Sequence, residues 1–273
     1  MAFGTKKFQL YGILKSDMTE QTEENMKEVA LNNANIDELS LDLMLTSSDF
    51  TEKLMNNRKA IDYMIAHTGI IDKVVLSQVA MKSLGESKYG GYKVIMNDST
   101  RSKVLNSTYI DDFNKGSVSV PKLTADTPEI IGSSYWNGSW AYYLAFDGNG
   151  GTEWGSRGGV SADNTDRSKA EYLGYNFGKN VIVYQVKLKN GYENPGYRCG
   201  DFYIQGASEN KEDKYEDLTS KLTAAQNDTM QSFNITTLKA NQFFRILIMS
   251  NPTGYCAELY ELQFYCREIP EGM

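Results

Sequence analysis

Ala145-Phe146-Asp147-Gly148-Asn149-Gly150-Gly151-Thr152-Glu153-Trp154 is the stretch around which the rest of the chain is organised. Its glycines, Gly148, Gly150 and Gly151, exclude a helix or a regular strand. Oxygen-bearing side chains stand at Asp147, Asn149, Thr152 and Glu153, with Phe146 and Trp154 on either side. A loop of this kind curls tightly and turns oxygens inward, which is how a chain builds a site for a hard cation. A polar surface turn with no ion is the other reading of the same residues.

Downstream of this loop the signals are those of short β-strands. Strands are expected over 142–146, 170–178 (ending in a turn), 180–189, 201–207, 231–238, 243–250 and 257–267. Val181, Val183, Val186 and Leu188 mark the buried side of one of them. Turn residues separate the strands at the intervals of an all-β sandwich or jelly roll. Aromatics make up 12 % of the 273 residues, with 18 tyrosines, a bias typical of β-structure and contact surfaces.

Upstream the texture is helical. A short strand or arm is expected over 8–14 and a helix over 18–45. Val29, Ile36 and Leu43 lie seven apart, with Leu39 between the last two. That is either a short self-association seam or the buried stripe of an ordinary helix. A repeat of about ten residues follows. Its third position carries Phe50, Ala60, Ile70 and Ala80, and its seventh carries Leu54, Met64, Val74 and Leu84. One such unit cannot bury its apolar edge, whereas stacked units can. Gly116, Ser117, Ser119, Pro121, Thr124, Thr127 and Pro128 mark a linker. The expected division is 1–45 arm and helix for docking or oligomerisation, 46–120 helical repeats and linker, 121–268 sandwich and 269–273 tail.

Composition removes several function classes. The net charge is −7 and there is no basic block, so nucleic acid is not an expected partner. No apolar run reaches the ~20 residues of a membrane span. The first residues, with Lys6 and Lys7 before a short polar stretch, do not read as a signal peptide, which points to assembly in a cytosol. Cys199, Cys256 and Cys266 have no metal-ligand spacing and read as free thiols on strands. His67 is the single histidine, and no nucleophile–base pair can be built around it, so no enzymatic activity is expected.

Taken in order, the β-segments resemble the discoidin, or coagulation-factor type C, domain and its relatives in carbohydrate-binding module family 32. The matching residues are Ala145-Phe146-Asp147-Gly148 with Thr152 and Trp154, then Tyr175-Asn176-Phe177-Gly178 and 181–188. Gly200-Asp201-Phe202-Tyr203-Ile204-Gln205-Gly206-Ala207, Tyr215-Glu216-Asp217-Leu218, Phe244-Arg245-Ile246 and Glu261-Leu262-Gln263-Phe264-Tyr265 complete the set. Asn176 stands where the family has aspartate, and no early cysteine exists to pair with Cys266. The fold class implied for the whole chain is an α+β multidomain protein: a helical N-terminal region with decad-like repeats, then an all-β galactose-binding-like jelly-roll sandwich.

The resemblance also implies a structural calcium ion. Asp147 and Glu261 would give carboxylates, Thr152 hydroxyl and carbonyl oxygens, and Ala145 and Asn149 carbonyls. Carbohydrate would bind in loops at one end of the sandwich, where Trp136, Asn137, Trp140, Arg157, Tyr197, Arg198 and Tyr255 are the candidates, and Trp154 belongs to the core. Residues 46–108 resemble a segment of tail and fibre proteins of phages that infect Gram-positive bacteria. The function implied is a virion structural protein (tail fibre, baseplate or receptor-binding component) assembled in the host cytoplasm. It would bind host cell-surface glycan and other virion proteins as a homo-oligomer, trimer favoured. Two alternatives stay open: a head fibre, decoration protein or other virion building block using the sandwich for protein–protein contacts, and an ancillary module of a glycan-degrading enzyme.

Overall fold

A computed structural model describes residues 45–46, 48–160, 165–191 and 195–273. The expected arm over 8–14 and the positions Val29, Ile36, Leu39 and Leu43 lie outside the described residues. Leu45, the last residue of the expected helix over 18–45, is in a turn. The described residues fall into two compact units, one ending at Ser117 and including Pro270–Met273, the other Val118–Ile269.

The first unit is a succession of short helices: α1 (Ser48–Asn56), α2 (Arg58–Ala66), α3 (Thr68–Val74), α4 (Gln78–Glu86), α5 (Lys88–Met96), α6 (Asp98–Leu105) and α7 (Ile110–Asn114). The residue before a helix often starts it. Side-chain oxygens of Asn57, Ser77, Ser87 and Asn97 accept from the backbone N–H of Ala60, Ala80, Gly90 and Thr100 at 3.0–3.2 Å. Each satisfies one of the donors that a helix N-terminus leaves open. His67 precedes α3 without such a bond; its Nδ1 lies 2.9 Å from the Tyr63 carbonyl. α1 packs on α4, α4 on α7, α2 on α5 and α3 on α6. α4 and the chain at 113–116 approach so closely that a Cβ at Gly85 would collide with the Phe113 backbone.

The second unit is a two-layered antiparallel sandwich. Its strands are β1 (Ile130–Gly132), β2 (Trp154–Gly155), β3 (Glu171–Asn190), β4 (Asp201–Ala207), β5 (Glu216–Asp217), β6 (Leu222–Thr223), β7 (Met230–Asn234), β8 (Ala240–Ile248) and β9 (Glu258–Glu268). β3 belongs to both layers. Its first part pairs with β1 and β8, and β8 passes the layer on to β4. Its second part pairs with β7 and β9, and β9 carries β2 at its edge. The separate strands expected over 170–178 and 180–189 are therefore one strand. The register shifts between Asn176 and Val181, where the chain bends instead of turning back. Gly178 has φ +70°, a conformation only glycine adopts freely. Asn176, the departure from the family's aspartate, holds this bend: its Oδ1 accepts from the Gly178 N–H and the Gln242 amide, both at 2.9 Å. Phe177 fills the inside of the bend against Tyr175, Phe244 and Phe264.

The core between the layers contains Trp154, Leu173, Val181, Val183, Phe202, Ile204, Phe244, Ile246, Leu262 and Phe264. The strand expected over 142–146 is a 3₁₀ turn, Tyr142–Ala145, which sends Leu144, Ala145 and Phe146 inward. Cys199 and Cys266 are free and buried, and Cys256 is free and half-buried. Of the three only Cys266 lies on a strand.

Candidate functional site

Loops meet at the end of the sandwich where β3 finishes and β9 begins. On one side, the chain before β2 carries two tryptophans. Trp136 is 60 % exposed, and its backbone N–H is tied to the Gly155 carbonyl at 3.0 Å. Trp140 lies against Gly155, whose missing side chain leaves room for the indole. Its Nε1 donates to Glu153 at 3.3 Å. Trp154 points the other way, fully buried, and bonds the Ser134 carbonyl at 2.9 Å. On the other side, the Tyr197 and Tyr255 rings lie 5.8 Å apart, and Tyr255 is 65 % exposed. Asn251 shapes that loop: its amide donates to the carbonyls of Tyr255 and Cys256 at 2.6 and 2.8 Å, and its Oδ1 accepts from the N–H of Gly254, at φ +75°.

Gly191 joins the two sides. A Cβ there would lie 2.8 Å from Oε2 of Glu153 and 3.3 Å from Oε2 of Glu258, so two carboxylates converge on its backbone. Arg198 donates to the Gly191 carbonyl at 2.7 Å and to that of Gln226 at 2.6 Å. Its guanidinium thus holds the loops in place. Cys256 sits 3.8 Å from Glu258, and burial and then that carboxylate push its thiol up to about 11. Asn137 spends its Oδ1 on the Ser139 N–H at 2.8 Å, and Arg157 is exposed, its backbone bonded to Ser134 Oγ at 3.0 Å.

Glu153, Glu258 and Gly191 are absent from the sequence-derived ligand candidates. Glu153 reads as one more oxygen of the glycine-rich loop, and its contact with Trp140 spans 13 residues. No local spacing encodes that contact. Glu258 and Gly191 meet only through strand pairing.

The Asp147 loop reaches this end of the sandwich through Glu153. β2 pairs with β9 at Leu259 and Glu258, which carries the preceding loop toward Glu261. Asp147 accepts from the Asn149 N–H at 2.8 Å and from the Thr152 hydroxyl at 2.6 Å. Gly148 has φ +69° and packs against Lys122. Lys189 donates to the Gly150 carbonyl at 3.0 Å. Glu261 is buried, and burial followed by the charge of Asp147 pushes its carboxyl up to about 7, against the pull of Lys122 and Lys189. A cavity of about 210 Å³ opens beside it, lined among others by Lys122, Phe146, Gly148 and Gln263.

A calcium-type ion fits this donor set. The set offers two carboxylates, Asp147 and the buried Glu261 that feels its charge, with a hydroxyl and backbone carbonyls in the loop; Lys122 and Lys189 lie against the same loop and supply positive charge of their own. Among the described residues no group of three or more His, Cys, Asp or Glu side chains could hold a metal.

Residues 129–262 match the family model of the F5/8 type C domain. That stretch is similar to an F5/8 type C domain. No curated protein matches the sequence. Among solved structures, chitosan-binding module 1 from a chitosanase/glucanase of Paenibacillus sp. IK-5 is similar at 19 % identity, over 54 % of this chain and 96 % of that one, with a TM-score of 0.41. The family 32 carbohydrate-binding module of C. perfringens NanJ, solved with galactose, is similar at 18 %, over 55 % and 98 %, with 0.40. An F5/8 type C domain from Bacteroides fragilis is similar at 16 %, over 51 % and 91 %, with 0.42. The tryptophans, the tyrosine pair and the Asp147 loop all lie within the F5/8 type C domain's matched span.

Proposed function

We propose that the F5/8 type C domain binds a host cell-surface carbohydrate through the loops that carry Trp136, Trp140, Tyr197 and Tyr255. The exposure of Trp136 and Tyr255, 60 % and 65 %, carries this reading. Large aromatics left in water on loops that the fold holds rigidly offer flat faces for the apolar side of a sugar ring. Asn137 and Arg157 lie in the same loops and offer polar groups for hydroxyls.

The setting proposed is a phage virion, as a tail fibre, baseplate or receptor-binding component assembled in the host cytoplasm. The tandem short helices that precede a carbohydrate-binding-like sandwich in the sequence support it, together with the resemblance of 46–108 to tail and fibre segments. Assembly as a trimer or other homo-oligomer would raise weak single-site affinity through multivalency. A calcium ion at Asp147, Thr152 and Glu261, with carbonyls of Ala145 and Asn149, would supply the positive charge that joins the loop to β9. Its role would be structural.

The test is binding to a glycan array and to intact bacteria, for the parent chain and for Trp136→Ala and Tyr255→Ala. Binding by the parent that both substitutions abolish supports the reading. Binding retained by both variants removes these loops from it, and a parent that binds neither glycan nor cell favours a building block that contacts protein. Immunolabelled phage particles test the virion setting separately.

A further inference from the structure

We infer that the helical unit is an open coil made of ten-residue steps, three steps to a turn, and that it lengthens by whole turns with its packing unchanged. Such a coil is a spacer whose length is written in the number of turns.

Helix starts carry the first part of the argument. α1 to α6 begin at Ser48, Arg58, Thr68, Gln78, Lys88 and Asp98. Besides the helix next to it in sequence, each helix packs on the third one along: α1 with α4, α2 with α5, α3 with α6 and α4 with α7. Three helices therefore complete a turn before the chain meets itself.

The corner serines' hydrogen bonds between turns repeat at one separation. Ser77 Oγ donates to the Leu45 carbonyl, Ser87 Oγ to that of Met55 and Ser107 Oγ to that of Val75, each at 2.6 Å and each across 32 residues. The hydroxyls of Thr51 and Ser83, 3.0 Å apart, are again 32 residues apart. A chance arrangement of helices would not keep one separation at different corners; a screw operation does. The fourth position of the first four steps is also constant in environment: Thr51, Ile61, Ile71 and Met81 are each 0 % exposed, whereas Arg101 in the sixth is partly exposed.

Serine at the corner does two things at once. The Oγ of Ser77 and of Ser87 accepts from the first turn of the next helix while its proton goes to the turn before. Starting a helix and stacking it on the earlier turn thus become a single event, as in repeat proteins stabilised by nearest-neighbour contacts. The helix pairings recur with the step, and the caps recur at Asn57, Ser77, Ser87 and Asn97 though not at His67, so one added turn built on residues 58–87 meets the packing of an existing one. Each turn would add about one interhelix spacing, roughly 8–10 Å.

The test is a full chain in which residues 58–87 are duplicated in tandem. At the junction Ser87 precedes a second Arg58 and caps it as it now caps Lys88. The expected result is a helical circular-dichroism signal larger by three helices, and amide protection of the inserted thirty residues matching that of the original copy. A chain duplicating 58–82, which cuts α4 out of step, is expected to leave its insert unprotected. Unprotected exchange in the thirty-residue insert, or equal protection in both inserts, would overturn the inference.

Discussion

The carboxylate of Glu212 grips the guanidinium of Arg245 with two hydrogen bonds, 2.8 and 2.6 Å long. The arginine side chain is 2 % exposed and the glutamate 73 %. Gln205 accepts from Nε at 2.8 Å, and the rings of Tyr172 and Tyr215 cover the two sides at 4.4 and 3.7 Å. A charge this buried is tolerated because every side of it is met. The Arg245 pair holds the Glu212 carboxyl below its usual value. Its stabilisation is therefore present above the unfolded pKa and is lost as pH falls through the folded one. Glu212→Gln is expected to lower stability by about 1 kcal/mol at pH 7, the figure being discounted for solvent around the carboxylate. The difference from the parent is expected to shrink as pH falls below the usual glutamate range and to vanish once Glu212 is protonated in the folded chain as well. Urea melts over a pH series check this.

Calcium is expected to raise the melting temperature of the parent chain, and chelator to reverse the rise. Asp147→Ala and Glu261→Gln are each expected to abolish the response. Loss of the response in Asp147→Ala alone would leave Glu261 outside the site. Without calcium, Glu261→Gln is expected to match or exceed the parent's stability at pH 8. It removes a buried carboxylate that Asp147 repels. Differential scanning calorimetry with and without the ion decides both points.

Trp136→Ala is expected to weaken carbohydrate binding by at least about tenfold, because a stacked aromatic face contributes about a kcal/mol or more. Its melting temperature is expected to stay unchanged, since the indole is 60 % exposed. Trp154→Ala is expected to behave oppositely. That side chain is fully buried, and its removal costs roughly 3–5 kcal/mol. Paired titrations and thermal melts separate the two tryptophans.

Gly85→Ala is expected to destabilise the helical unit by roughly 1–3 kcal/mol, because the added methyl collides with the Phe113 backbone, which cannot swing aside as a side chain would. Gly69→Ala, in open space, is expected to be neutral or mildly stabilising. Helical ellipticity on heating measures both.

Much of this was legible in the residues. The change from helical to β texture could be read from turn residues and alternation, and Trp154 and Arg245 fell into the order of an F5/8 type C domain. What alternation could not show is that β3 runs unbroken through Gly178: glycine and asparagine signal a turn equally well when the chain bends from one layer into the other. Tyr142–Ala145 misled for a related reason, since an aromatic-rich run buried as a 3₁₀ turn has the composition of a strand. The convergence of Glu153 and Glu258 on Gly191 depends on strand register, which no short window contains. The bonds across 32 residues were equally out of reach, because they belong to stacking.

β3 gives the sandwich a mechanical spine. Because one strand is zipped to β8 in one layer and to β9 in the other, a pull along its length must shear backbone bonds in both layers together. Neither layer can peel away by itself.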